Sequence, residues 1–392
     1  MADVLPLARA SRPSSRLRVL VVAESFLPQV NGVTGSVRRV LDHLAAEGHD
    51  AEVVAPTGPD VYAGFRVRHA RGATLPFYRD FKIGLETRRR LRRTMLRFAP
   101  DVVHIASPAT LGYQAAKVAA ELGIPTVAIY QTDLVGFAER YDVPGGAAAM
   151  AALTRRIHTR VDRTLAPSSA SLRQLADLDV PGTALWPRGV DLEQFRPDRR
   201  DPALRSRLLG DAPGRVLVGY VGRLAPEKEL DLLAVLADDP RLQLVVVGGG
   251  PEEHRLRSLL PGAHLLGVLH GDELGAAYAS LDVFVHTGRH ETYCQSAQEA
   301  LASGVPVVAP RQGGPVDVVD DGVAGFLYRP GDAADLATFV DLLASDPALR
   351  RRVGLAARRS VADRSWRSVN EALVGHYREV VADRAEWDAL SG

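Results

Sequence analysis

The sequence predicts an α/β protein of two doubly wound domains, each built on a parallel sheet, that face each other across a cleft. Three observations carry this. At 392 residues the chain exceeds one ordinary core, and domains of about 150 to 200 residues are the default. Short apolar runs alternate with Gly-containing turns and helically spaced segments, which is the rhythm of an open parallel sheet. That rhythm stops near residue 190 and restarts near residue 215.

Taken in order, "LRVLVVAESF" (17–26) is a short apolar run of the kind that forms a buried parallel strand. The turn "LPQVNGVTGS" follows, and then "VRRVLDHLAAEGH", whose apolar spacing is helical and which stops at Gly48. "AEVVAP" reads as the next strand, and "PDVVHIAS", "GIPTVAIYQTD" and "VDRTLAPS" continue the alternation. The second half opens with "RVLVGYVGRLAPEKELDLLAVLA" (215–237), read as strand, Gly turn and helix. "LQLVVVGGGPEEHRLRSLL", "AHLLGV", "LDVFVHTG", "VPVVAP" and "GFLYRP" complete it.

The expected organisation is a flexible N-terminal arm over 1–16, a first domain over 17–190, a second over 191–375, and a C-terminal helix over 376–392 that returns to the first domain. The Pro, Gly and charge of "WPRGVDLEQFRPDRR" (186–200) suit an interdomain linker. In doubly wound sheets, ligands sit beyond the carboxyl ends of the strands.

Composition narrows the classes. The apolar runs are strand-sized, so no membrane span is expected. The arm lacks the apolar core of a signal peptide. The single cysteine, Cys294, excludes an intrachain disulfide and a Cys-based zinc site, and a cytoplasmic location is expected. Up to Val190 there are 25 Lys and Arg against 17 Asp and Glu; beyond it there are 23 against 30. A basic half joined to an acidic half suggests different partners for each. Lysine is scarce, with Lys82, Lys117 and Lys228 the only three. Neither "VNGVTGS" nor "VGGGPEE" spells G-x-G-x-x-G, and no GxxxxGK[ST] occurs, which argues against NAD enzymes and P-loop ATPases.

Three stretches carry chemistry. In "GRLAPEKEL", Arg223 and Lys228 stand five apart, after a strand and at a helix entry, where their charge suits a diphosphate. A solvated pair beside Glu227 and Glu229 is the bland alternative. In "NGVTG" (31–35), Gly32 and Gly35 let backbone approach a phosphate or sugar closely, or simply make a βα turn. In "HETYCQSAQEALASG" (290–304), Glu291 and Glu299 stand eight apart at a helix mouth. Ser296 and Glu299 fit a capping box; alternatively the helix start holds a phosphate, with Glu299 on a ribose diol and Glu291 on hexose hydroxyls.

Together these motifs resemble the retaining glycosyltransferases of family 4, which have the GT-B fold of two Rossmann-like domains. The family's N-terminal Gly loop, "RL…K" site and E-x7-E motif match "NGVTGSVRR", "GRLAPEKEL" and "ETYCQSAQE" (291–299). The likeness runs from about residue 17 to about 380, and is closest to actinobacterial GDP-mannose-dependent α-mannosyltransferases in "ESFLPQVNGVTGSVRRVLDHL", "VAIYQTDLVGFAERY" and "PRGVDLEQFRP". The resemblance implies an acceptor-binding first domain and a nucleotide-sugar-binding second domain. It implies that Arg223 and Lys228 bind the donor diphosphate and Glu299 the ribose. Glu291, with the backbone of Tyr293, Cys294, Gln295 and Ser296, positions the sugar; Val268 lies at the base and Gly32 at the donor. Gln131, Asp133 and His104 fall near the sugar and acceptor. Many relatives carry a His-Thr-Asp or His-Thr-His run where this chain has Gln131-Thr132-Asp133, and Gln131 neither accepts a proton nor carries charge at pH 7.

The implied reaction moves a hexose, with mannose from GDP-mannose favoured, to a lipid or glycan hydroxyl by same-face attack. Charge stabilisation of the leaving diphosphate comes from Arg223 and Lys228, and closure excludes water. No metal and no cofactor is expected; His286 and His290, four apart, need not share a face. The Arg-rich stretch 79–97, with Phe81, Leu85, Leu91, Met95 and Phe98 read at helical spacing, suggests a basic helix lying on an anionic membrane surface. No nucleic-acid reader motif occurs. Other donors (UDP- or ADP-sugars), an epimerase or hydrolase on sugar nucleotides, and a non-catalytic sensor are the alternatives.

Overall fold

The computed structural model describes residues 16–29, 31–75, 78–84, 86–106, 108–133, 136 and 146–391. The expected arm therefore lies, up to residue 15, outside the described residues. The chain divides into two compact units: one comprises the chain up to Pro167 with Ser171–Trp186 and Asn370–Gly392, the other Pro187–Val369 with Ser168–Ala170.

In the first unit the elements run β1 (Arg18–Val22), α1 (Gly32–Ala46), β2 (Asp50–Ala55), β3 (Val61–Tyr62), β4 (Phe65–His69), β5 (Gly72–Leu75), β6 (Tyr78–Gly84), α2 (Arg88–Phe98), β7 (Val102–Ile105), α3 (Thr110–Glu121), β8 (Thr126–Ile129), α4 (Gly146–His158), β9 (Arg163–Ala166), α5 (Ser169–Asp177) and β10 (Thr183–Leu185). The main sheet is ordered β10-β9-β8-β7-β1-β2-β4-β3. All its pairs are parallel except β3 with β4. Strand order reverses between β1 and β7, so their carboxyl ends mark a switch point. Val19 to Val22 are fully buried, as expected of a strand covered on both faces.

The expected Gly turn before α1 is mostly helix. Asn31 caps it by accepting from Thr34 N at 2.9 Å, which places Gly32 in the first turn. Residues 79–84 are the strand β6, not the front of a basic helix, and α2 begins only at Arg88. Leu91 and Met95 are buried, so these two do not form an apolar edge for a membrane. Leu85 lies outside the described residues, as does the side chain of Phe81.

In the second unit the elements run α6 (Pro202–Leu209), β11 (Val216–Val221), β12 (Leu242–Val247), α7 (Glu253–Leu259), β13 (His264–Gly267), α8 (Gly271–Ser280), β14 (Val283–Val285), α9 (Gln295–Ala302), β15 (Val307–Pro310), α10 (Pro315–Val318), β16 (Gly325–Tyr328), α11 (Ala333–Ser345) and α12 (Pro347–Ser360). The sheet order is β13-β12-β11-β14-β15-β16, all parallel, with a switch point between β11 and β14. The segment 186–200 contains the unit boundary at Trp186/Pro187 and packs into the second unit beyond it: Val190 and Phe195 belong to that unit's core, and Arg199 pairs with Asp272 at 2.6 Å.

The last helix, α13 (Trp366–Ser391), belongs to the first unit from Asn370 onward. Asn370 Nδ2 donates to the Arg39 carbonyl at 3.0 Å, and Arg384 pairs with Asp162 at 2.9 Å. Tyr377 is fully buried, with its hydroxyl 2.6 Å from His104 Nδ1.

Candidate active site

At the second unit's switch point, β11 releases residues 222–229 and β14 releases 286–294. These segments interlock. Thr287 Oγ1 donates to the Lys228 carbonyl at 2.6 Å, and Arg289 pairs with Glu229 at 2.6 Å. Beside them, β12 ends in a glycine run that approaches 222–224 closely. Gly248 has φ 136°, and a Cβ there would lie 1.9 Å from the Gly222 carbonyl oxygen, so only glycine fits. On the other flank, Gly314 N donates to the Glu291 carbonyl at 2.7 Å, and a Cβ on Gly314 would sit 2.3 Å from Tyr293 Cα.

The interlocked loops bring Lys228 and Glu291 together as an ion pair with only 21% and 18% of their side chains exposed. His286 Nε2 lies 3.2 Å from the same Glu291 oxygen. The imidazole is buried and stacks on Tyr220 with ring planes 14° apart. Burial alone would raise the Glu291 pKa, but Lys228 and His286 outweigh it and hold the carboxyl well below the usual range. Burial disfavours the Lys228 ammonium, yet Glu291 draws its pKa above the ordinary value. Burial likewise opposes a charged His286, and Cys294 and Glu291 lift its pKa above that of free imidazole. Lys228 and His286 both face the one carboxylate of Glu291, and Arg223, on the same loop as Lys228, has a half-exposed guanidinium 3.4 Å from Glu227. Two basic side chains on one loop suit an anion with more than one charge.

Arg223 and Lys228 do not stand at an α-helix entry. Residues 226–228 and 230–236 form 3₁₀ turns, with Glu229 left-handed at φ 50° between them. The α9 start departs from the capping-box alternative as well. Its N-cap is Cys294, at φ 77° and ψ 65°, and no side chain caps it. Ser296 is already helical, and Glu299 Oε2 accepts instead from the Tyr278 hydroxyl at 2.9 Å. Tyr293 Oη and Gln298 Nε2 both donate to the Arg188 carbonyl, at 3.2 and 3.0 Å, and Gln295 Nε2 donates to the Gly189 carbonyl at 3.0 Å. The Tyr293 and Gln295 side chains thus brace the α9 start from behind. Val268 is 60% exposed beside the glycine run, where a Cβ on Gly249 would lie 3.1 Å from it. His286 is the residue here that motif reading did not enlist; its only sequence signal is a histidine closing an apolar strand run.

In the first unit, Gly32 is exposed in the first turn of α1. Gln131 follows β8, is buried, and donates through Nε2 to the Ala106 carbonyl at the end of β7. Asp133 accepts from Gly136 N at 2.9 Å and from Gln174 at 3.3 Å. His104 does not reach a surface. It is 1% exposed against Tyr377, and burial pushes its pKa down to about 3, so the side chain expected near the sugar and acceptor is a packed one. Sequence reading also passed over Glu24, just after β1. Its carboxylate accepts from Gly84 N (3.1 Å), Leu111 N (2.6 Å) and Gly112 N (3.2 Å). It thereby caps α3, whose own N-cap, Ala109, offers no side chain. Burial outweighs these bonds and raises its pKa to about 7.

Known proteins resemble this chain over most of its length. The model for Glycosyltransferase Family 4 matches residues 30–194, and that for Glycosyl transferases group 1 matches 209–360. A GDP-mannose-dependent alpha-mannosyltransferase of Mycolicibacterium smegmatis is 47% identical over 94% of this chain and 99% of its own length. The same-named protein of Corynebacterium glutamicum is 42% identical over 93% and 90%. Sulfoquinovosyl transferase SQD2 of Arabidopsis thaliana is 34% identical over 95% and 75%. Among solved structures, Anabaena HepE in complex with UDP superposes with a TM-score of 0.75 at 18% identity, covering 93% of this chain and all of that one.

Proposed function

From its membership of the family 4 glycosyltransferases, to which this chain belongs, we propose that the protein is a retaining α-mannosyltransferase using GDP-mannose. That it is a hexosyltransferase of the GT-B fold follows from the family matches and the near-full-length likeness to mannosyltransferases.

The observation that carries the donor site is the Lys228–Glu291–His286 cluster beside the side-chain-free start of α9. On this reading Lys228, Arg223 and the α9 N–H groups hold the diphosphate and stabilise its charge as it departs. Glu291 accepts from hexose hydroxyls, Glu299 from the ribose, and Val268 borders the base. His286 is a positioning residue: it keeps Glu291 ionised and oriented when Lys228 turns towards the diphosphate. The acceptor hydroxyl attacks the face the diphosphate leaves, and a diphosphate oxygen takes its proton, so no protein nucleophile is required. Gln131 and Asp133 lie on the acceptor side, in the first unit.

The acceptor on this reading is a lipid or glycan. The α2 arginines support peripheral contact with an anionic membrane at its cytoplasmic face, through charge alone. Among the described residues no helix is long and apolar enough to cross a membrane.

Thermal unfolding with GDP, UDP and ADP in turn tests the donor. A ligand at 100 times its Kd adds about 2.7 kcal/mol. Stabilisation by GDP alone, with mannose released from GDP-mannose to a lipid extract, is the expected outcome; stabilisation by UDP or ADP instead replaces the donor.

A further inference from the structure

A cavity of about 370 Å³ opens in the first unit between β4 and α2, lined by Arg66 and Arg68 on the strand and by Arg90, Arg93 and Arg97 on the helix. The helix residues follow the i, i+3, i+7 spacing that puts them on one face. Val54, Val67 and Leu91 also line it, and all three are buried. The volume is that of a small-molecule site.

The charge inside is not balanced. Arg68 and Arg97 share one carboxylate, Glu52, with Arg97 at 3.0 Å. Arg90 has Glu86 at 3.3 Å. Arg66 and Arg93 have no ion-pair partner among the described residues, and Asp60 is the remaining acid in the lining. Helix polarity adds to the imbalance at one lining residue: Arg90 stands in the first turn of α2, which holds no acid and where a cation opposes the helix dipole. Guanidinium forks converging from two elements match a tetrahedral oxyanion, which accepts several N–H bonds at once.

We propose that this cavity is a binding site for a phosphate monoester, borne by a soluble metabolite or by a lipid headgroup. The site depends neither on the donor assignment nor on which sugar is transferred.

The test is a calorimetric titration of inorganic phosphate into the full-length protein, with GDP present to occupy the donor site. Wild type is compared with Arg66→Gln, Arg93→Gln and the double variant. Both side chains are exposed, so the fold survives, which melting curves check. One saturable event is expected, weakened about tenfold or more in the double variant, as loss of charge-assisted hydrogen bonds requires. Sodium chloride at equal ionic strength does not reproduce it. Two further arms assign the source. Glycerol 3-phosphate binding lost in the double variant points to a soluble ester. Flotation with phosphatidylcholine vesicles containing phosphatidic acid, lost in the same variant, points to a lipid. A phosphate response that is absent, or equal in wild type and double variant, overturns the site. A failure of GDP to bind would count against the donor reading alone, since the comparison between variants still reads the cavity.

Discussion

Lys228 and Glu291, 63 positions apart in sequence, are ion-paired at the second unit's switch point. On the proposed reading this pair ties the diphosphate ligand to the sugar ligand, so its two halves should fail differently. Lys228→Ala is expected to weaken GDP binding by about 10- to 100-fold, the loss of one charged contact. Glu299→Ala should also weaken it. Glu291→Gln should lower kcat by about a hundredfold with little change in melting temperature. Unchanged kinetics in all three variants would sink the site assignment.

His286 Nε2 lies 3.2 Å from Glu291, and on the proposed reading it acts on the reaction through that carboxylate. His286→Asn should lower kcat about tenfold while GDP affinity stays within a factor of about two. The decisive measurement is the double variant with Glu291→Gln. Its kcat should be no lower than that of Glu291→Gln alone, whereas additive losses would assign His286 a separate role.

Cys294 is buried and left-handed at φ 77°, a conformation glycine adopts without strain. Its proposed contribution is backbone geometry, not a thiol. Cys294→Ala should therefore retain turnover within about threefold, with no covalent glycosyl adduct by mass spectrometry in the wild type. A hundredfold loss would make the thiol a candidate nucleophile.

Acid should destabilise the fold through histidines buried in neutral form. Burial lowers His104 to about 3 and His158 to about 4, both from 6.5. The unfolded chain protonates them first, so their share of stability is intact above pH 6.5 and lost towards pH 4 and pH 3. The slope is at most about 1.4 kcal/mol per pH unit for each. Glu24, raised to about 7, works in the opposite sense, contributing most below pH 4.5, and offsets part of the loss. Urea midpoints at pH 7 and pH 5 should differ less in His158→Gln than in wild type; an equal difference refutes the assignment.

Tyr377→Phe removes the hydroxyl that meets His104 Nδ1. An unsatisfied buried nitrogen costs about 1–3 kcal/mol. The melting temperature should fall by several degrees while kcat and KM hold, and a kinetic defect without a melting shift would contradict a purely structural contact.

Much of the fold was legible because parallel strands covered on both faces read as unbroken apolar runs, as in "VLVV" of β1 and "LQLVVV" of β12. The E-x7-E spacing was legible too, since both acids lie in one local segment. What failed was local structure set from a distance. Residues 226–236 carry a helical pattern but coil as 3₁₀ turns around a left-handed Glu229, where Thr287 and Arg289 bond to the loop. The capping box misread the α9 start because Cys294 takes a conformation that its residue type does not announce. Lys228 meets Glu291, 63 positions away, only through the β11–β14 switch, and Glu24 reaches α3 across 87 positions; no window of sequence contains either.

Because the first unit recovers the chain at Asn370, the second is in topological terms a guest inserted into a host. A stop codon near residue 369 would leave the guest whole and strip the host of Tyr377, the lid on His104. Expressing the guest alone calls for the continuous fragment 187–369, which leaves out only the short piece Ser168–Ala170. Expressing the host calls for a new covalent joint between its two separated parts, and a simple N-terminal truncation product is a poor proxy for it.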